Sequence, residues 1–284
     1  MTSTTLAANM GQFFQFSATG HLLSYTFVQQ SLLAIALLGL IGGVLGPMIV
    51  ARQMSFAVHG AAELSFTGAA AALLAGVGVN IGGVIGAVLA AAVFGLLGQR
   101  ARERDSVIGV VMAFGLGLGV LFLSLHGRVG QGFALLTGQV VSVGTNGLIA
   151  VGVTAAVVLV VYALIYRPLL FASLDPRVAE TAGVPTRFLS VVFAILVGLA
   201  AAQGVQIIGA LLVMSLLITP AAAAARLTAD PTKVLVLSVL FAELAAVGGL
   251  VLSLAPELPV SVAVTTISFA VYVICRLIGM RRRD

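Results

Sequence analysis

The sequence predicts an all-α fold: a polytopic helical membrane protein with about eight or nine transmembrane helices and one short amphipathic helix on the cytoplasmic side. Three observations predict it. Hydrophobic residues make up 61% of the 284 residues and charged ones only 8%, and the mean hydropathy is +1.20, which excludes an ordinary soluble domain. The apolar residues come in runs of about 20, the length a helix needs to cross a bilayer, and not in the alternating segments of about 10 that build a barrel. The basic residues sit in short connections, so the net charge of +5 reports orientation and not nucleic-acid binding. Cys275 is the only cysteine, which rules out an internal disulfide and a cysteine-based metal site. Residues 1–30 hold no Lys or Arg, so a cleavable signal peptide is not expected.

Residues 1–30 read as an N-terminal tail with an interfacial segment, rich in Phe13, Phe14, Phe16, His21, Tyr25 and Phe27. A single transmembrane domain follows over 31–279, and 280–284 form a basic cytoplasmic tail. The first span runs from Ser31 to Val50 and the second over about 56–77. After the turn at Gly76–Asn80 the third span runs to about Gly98. The fourth covers about Val107 to Leu125 and the fifth about 147–166. Gly82 with Gly86, and Gly115 with Gly119, have the four-residue spacing of close helix contact. The Gly-rich stretch His126–Thr145 carries a short apolar centre, Phe133–Leu136, that suits a re-entrant or interfacial helix. Two apolar runs, about 188–203 and 207–225, are expected to hinge at Gln203–Gln206, with Pro220 kinking the second. The last spans are about 234–253 and 259–279.

Charge sets the orientation. If each run crosses once and the N-terminus lies outside, every Lys and Arg except Arg128 falls on the cytoplasmic side. That is the positive-inside pattern, and it favours nine crossings with a cytoplasmic C-terminus.

Within the second span, Ser55, His59, Glu63 and Thr67 recur every fourth residue among Ala, Gly, Val and Leu. Helical spacing puts them on one slowly drifting stripe. Ionisable groups at membrane depth face a bundle interior, a wet path or each other. An imidazole nitrogen and a carboxylate oxygen are also ligands for a first-row divalent ion. The alternative is a packing pair that glues helices together. Glu243, alone in mid-span, is a candidate third ligand or proton carrier, or the partner of a polar group on a neighbouring helix.

The stretch 167–187 carries its own helix signals. Asp175 before Pro176 is an N-cap followed by a first-turn proline, and Gly183 followed by Pro185 is a stop. Between them lie two helical turns with Val178 and Ala182 on one face, a shape that can dock in a groove on a soluble partner.

Leu174 to Val184 resembles the coupling helix of ABC-importer permeases for manganese, zinc and iron. Gly209–Leu212 and Leu216–Arg226 are similar to that family's late-span signature, and Gly248–Gly249–Leu250 fits as well. Phe27–Leu32 resembles the family's opening, and Arg52–Phe56 its Arg-Arg-Met turn. The resemblance runs from about residue 25 to 279. It implies a coupling helix over about 175–183, with Asp175, Glu180 and Gly183 facing a cytoplasmic ATP-binding-cassette ATPase. It also implies a second copy of this chain, an extracellular metal-binding solute-binding protein and a multi-pass location in the bacterial cytoplasmic membrane. Zinc or manganese, with iron as a further option, would pass transiently; no tightly bound cofactor is expected. His59 and Glu63 would meet the ion, with Ser55, Thr67 and the Pro220 kink along the pathway.

One departure stands out. The family has Asp-x-x-x-His after the Arg-Arg-Met turn, whereas this chain has His59 and then Glu63. The ligand types survive in reversed order, which leaves the choice between nitrogen-preferring zinc and oxygen-preferring manganese open. Lys233 is the only lysine, and no Gly-rich phosphate loop precedes it. Hydrolysis of ATP is therefore expected in a partner chain, and no enzymatic activity in this one. The rival reading is a gradient-driven cation transporter in which Glu63 and Glu243 carry protons.

Overall fold

The computed structural model describes residues 22–96, 101–127, 143–209, 213–254 and 259–281. These form helices α1 (Thr26–Ala51), α2 (Ser55–Leu74), α3 (Val79–Leu96), α4 (Ala101–Leu125), α5 (Thr145–Leu174), α6 (Pro176–Thr181), α7 (Thr186–Ile207), α8 (Val213–Leu217), α9 (Thr219–Leu227), α10 (Pro231–Leu254) and α11 (Val260–Arg281). Eight of them are long and apolar enough to cross a membrane. His21, the Phe133–Leu136 centre, Arg128 and the terminal Arg282 and Arg283 lie outside the described residues.

Polar contacts at the helix ends define two levels. The Arg52 side chain at the end of α1 reaches Ser173 at the end of α5 and Ser190 in the first turn of α7. At the opposite level, Gln30 of α1 bonds Thr145 of α5, and Gln206 of α7 bonds the Asn80 carbonyl of α3. The arginine-rich level is the cytoplasmic one by the positive-inside rule. α9 ends there too, because the Arg226 carbonyl lies against Gly279 near the end of α11. α8 and α9 thus lead to that level as a further short apolar segment, Val213–Leu227, interrupted at Ile218. Both pack against α1, α10 and α11, and α8 also against α2, the kind of setting in which irregular backbone is tolerated at membrane depth.

Several boundaries differ from the sequence reading. α1 begins at Thr26, so the division at residue 30 falls inside a helix. α5 runs on to Leu174 through Arg167 and Pro168, because its first turns past the hydrocarbon remain packed, with Leu169 and Ala172 buried. The hinge expected at Gln203–Gln206 is helical; the break comes at Gly209, whose φ of +99° suits a residue without a side chain. Pro220 does not kink a helix interior. It sits in the first turn of α9, after a break at Ile218, where its missing N–H costs nothing.

Small residues bring the helices together. A Cβ on Gly86 would stand 2.4 Å from the Leu64 carbonyl oxygen, and one on Gly68 would stand 2.2 Å from that of Gly82. Gly115 and Gly119 meet Leu64, Phe66 and Thr67. Both glycine pairs picked out by spacing therefore lie at the α2 contacts with α3 and α4. Outward faces carry unpacked apolar side chains such as Ile81, Ile85, Leu89 and Val93 on α3, as hydrocarbon surroundings allow.

Candidate functional site

α2 is among the three most buried spans, with α1 and α7, and packs against α3, α4, α7 and α8. Its Ala and Gly content permits this: Gly60 lies against Phe94 and Ile108, with no room for a side chain. On this crowded helix His59 and Glu63 stand one turn apart. Their side chains are 26% and 9% exposed, and Nε2 of His59 lies 3.9 Å from Oε1 of Glu63. That separation is too long for a direct hydrogen bond. It is within the span of an ion bonded to both, at about 2.0–2.2 Å from each. The other two polar atoms, His59 Nδ1 and Glu63 Oε2, are buried with no hydrogen-bond partner among the described residues. Buried polar atoms are nearly always paired, and orphans point to an absent ion or water or to a working role.

The predicted stripe divides. Ser55 is half-buried at the start of α2. Thr67 donates its hydroxyl hydrogen to the Gly115 carbonyl of α4 at 2.8 Å and lies 3.3 Å from the Glu63 carbonyl. It joins two helices, and its polar capacity is used there. Glu243 is not brought to the pair: its carboxylate faces Gly39 of α1, where a Cβ would stand 3.2 Å from Oε1. Among the described residues no three His, Cys, Asp or Glu side chains gather into a metal-holding group. His59 and Glu63 therefore stand as a pair of candidate ligands, and Pro220 lies in the first turn of α9.

The handle at the cytoplasmic level is built as its sequence implies. Asp175 Oδ1 accepts hydrogen bonds from the Arg177 and Val178 N–H groups, each at 3.1 Å. Pro176 opens α6, and Gly183 follows it in the left-handed region with φ +81°. Thr186 donates to Glu180 Oε1 at 2.9 Å, folding the exit of the handle back on it. Ala179 faces inward, while Leu174 and Val178 are 74% and 49% exposed. Val178 and Ala182 thus point away from the protein, as a docking face requires.

Sequence reasoning counted Arg52 among the cytoplasmic charges and in the stretch that resembles the Arg-Arg-Met turn, and gave its side chain no partner. The structure sets its guanidinium across the base of the handle, between Ser173 and Ser190. The signal that could have found it is a serine in the last turn before the handle and another in the first turn after it.

Fold and site together define a class: a multi-pass helical transport protein with a buried polar pair and a short capped helix between two spans. The chain belongs to the ABC 3 transport family, whose model matches residues 24–279, and is a permease of the bacterial cytoplasmic membrane. The manganese transport system membrane protein MntC of Halalkalibacterium halodurans is 34% identical over 236 residues, covering 82% of this chain and 80% of that one. The manganese import system permease protein ScaB of Streptococcus parasanguinis is 27% identical over 263 residues, covering 91% of this chain and 93% of the relative. Among solved structures, PsaBC from Streptococcus pneumoniae in complex with Fab has the same fold, with a TM-score of 0.83 over 94% of this chain and 99% of that one, at 22% identity.

Proposed function

We propose that this chain is the membrane subunit of an ATP-driven importer for a divalent metal ion, with manganese as its cargo. The observation that carries the reading is the His59–Glu63 pair, a nitrogen and a carboxylate 3.9 Å apart on a largely buried helix, with two buried polar atoms lacking partners among the described residues. A two-ligand site suits a carrier. Binding must be strong enough to draw in a dehydrating ion and weak enough to release it, and water or a further ligand completes the shell. Relatives named as manganese transport proteins favour that ion, and the carboxylate suits it, while the imidazole keeps zinc and iron as competitors.

Energy would come from a separate ATPase gripping the exposed face of α6 in each of two copies, and an extracellular binding protein would deliver the ion. ATP binding would shift the balance between outward- and inward-facing states through differential contacts at the handle. The test is uptake of Mn2+ into vesicles holding the permease with its ATPase subunit. ATP-dependent accumulation, competed by Zn2+ only at higher concentration, is the expected result. Accumulation that persists without the ATPase and collapses with an uncoupler would replace this reading with gradient-driven transport.

A further inference from the structure

We propose that Arg52 is the positioning residue that couples the handle to the metal-passing helix, making the α1–α2 elbow move as one body with α5, α6 and α7. The inference rests on the ATP-driven reading above and adds the part that transmits the motion.

The handle leaves the helical bundle after Ser173 and rejoins it before Ser190, so these two residues mark its base. Each serine hydroxyl donates within its own helix, Ser173 to the Leu169 carbonyl at 2.6 Å and Ser190 to the Thr186 carbonyl at 2.8 Å. Their oxygen lone pairs are thereby left to accept. Arg52 supplies the donors: Nη1 lies 3.0 Å from Ser173 Oγ, and Nη2 bonds Ser190 Oγ. A planar fork is suited to holding two acceptors at once, which a single ammonium cannot do in fixed geometry. The Met48 sulfur, one turn before Arg52, also touches Ser173 Oγ at 3.4 Å.

The other side of the link is short and stiff. Arg52 is the C-cap of α1, and α2 starts three residues later. Between them Gln53 adopts φ +54°, a left-handed conformation uncommon outside glycine. Backbone bonds from Arg52, Gln53 and Met54 back to Met48, Val50 and Ile49 close the turn. A push on the handle that displaces either end of its base therefore drags the guanidinium, and the turn passes the displacement to α2. His59 and Glu63 lie in the next two turns. Allosteric coupling needs a physical element that both sites bias; beside the direct packing of α7 on α2, this fork is the element that ties both ends of the handle's base to the elbow.

The experiment uses the whole transporter in proteoliposomes, with Mn2+ uptake and ATP hydrolysis measured on the same preparation. Arg52→Met keeps the stem and removes the fork. Uptake should fall by about tenfold or more, the scale of an ordinary coupling free energy, with hydrolysis and ATPase co-purification within about twofold of wild type. Arg52→Lys should recover only part of the uptake. Removal of both acceptors in Ser173→Ala/Ser190→Ala should reproduce the split, and it decides the matter if Arg52→Met does not assemble. Unchanged uptake in the assembled variants, or uptake and hydrolysis falling in proportion, overturns the assignment and leaves Arg52 a structural staple. Failure of the wild-type complex to take up Mn2+ would instead overturn the transport reading, whatever Arg52 does.

Discussion

The handle and the His59–Glu63 pair are both short polar stretches in an apolar chain, yet they treat their polar atoms in opposite ways. In the handle Asp175 caps two backbone N–H groups and Glu180 receives the Thr186 hydroxyl. At the pair, His59 Nδ1 and Glu63 Oε2 are buried without a partner among the described residues. The difference follows from the surroundings. Near water an unpaired atom finds solvent at little cost, so local bonds there mainly fix shape. Within the bilayer an unpaired atom costs from about 1 to several kcal/mol, so two of them one turn apart on one helix make the pair a candidate site. The handle closes its polar groups on its own backbone and side chains, and the pair leaves two of its own open.

Breaking the pair should have the largest effect. Glu63→Ala or His59→Ala should lower Mn2+ uptake by about 100-fold, at or above the range seen when even outer-shell partners of a metal are lost, with protein level unchanged; normal uptake by both variants would remove the site. The double exchange His59→Asp/Glu63→His sharpens the point, since it restores the order Asp-x-x-x-His. Recovery over the single variants would show that ligand type matters more than order. Next comes the packing that keeps α2 central. Gly86→Leu would drive a side chain into the Leu64 carbonyl and should destabilise by about 2 kcal/mol, read as a lower melting midpoint in detergent. Gly117→Ala, which meets open space, should leave the midpoint unmoved.

A smaller loss is expected at the handle. Asp175→Ala removes the cap, worth about 1 kcal/mol, and should weaken co-purification of the ATPase by about fivefold at most while leaving the melting midpoint unchanged. The smallest effect should come from Thr67→Val. The interhelical bond to Gly115 is worth about 0.6 kcal/mol, and uptake should remain close to wild type. A large transport defect there would return Thr67 to the pathway.

Legibility in the sequence tracked how local each feature is. The handle was readable in full because Asp175, Pro176 and Gly183 act within a few residues of one another. The glycine contacts at Gly82, Gly86, Gly115 and Gly119 were readable because spacing alone puts each pair on one face. The stripe from Ser55 to Thr67 was readable as a stripe but not in its division, since the partner of Thr67 lies 48 positions away. The place of Glu243 against Gly39 was equally hidden, because the pairing of α10 with α1 joins opposite ends of the chain. Arg52 looked like any cytoplasmic arginine until two serines more than a hundred residues on were brought to it.

Composition and periodicity by themselves determined that this chain crosses a membrane repeatedly and that a histidine and a glutamate share a helix face. Those properties depend on the bilayer and on helix geometry, which act on each segment alone. Only the tertiary structure decided that α2 packs against four other helices, that α8 and α9 are divided at Ile218, and that one guanidinium spans the base of the handle. These depend on which helices meet, and without water to drive apolar faces together that choice rests on close packing of small residues and a few long-range hydrogen bonds.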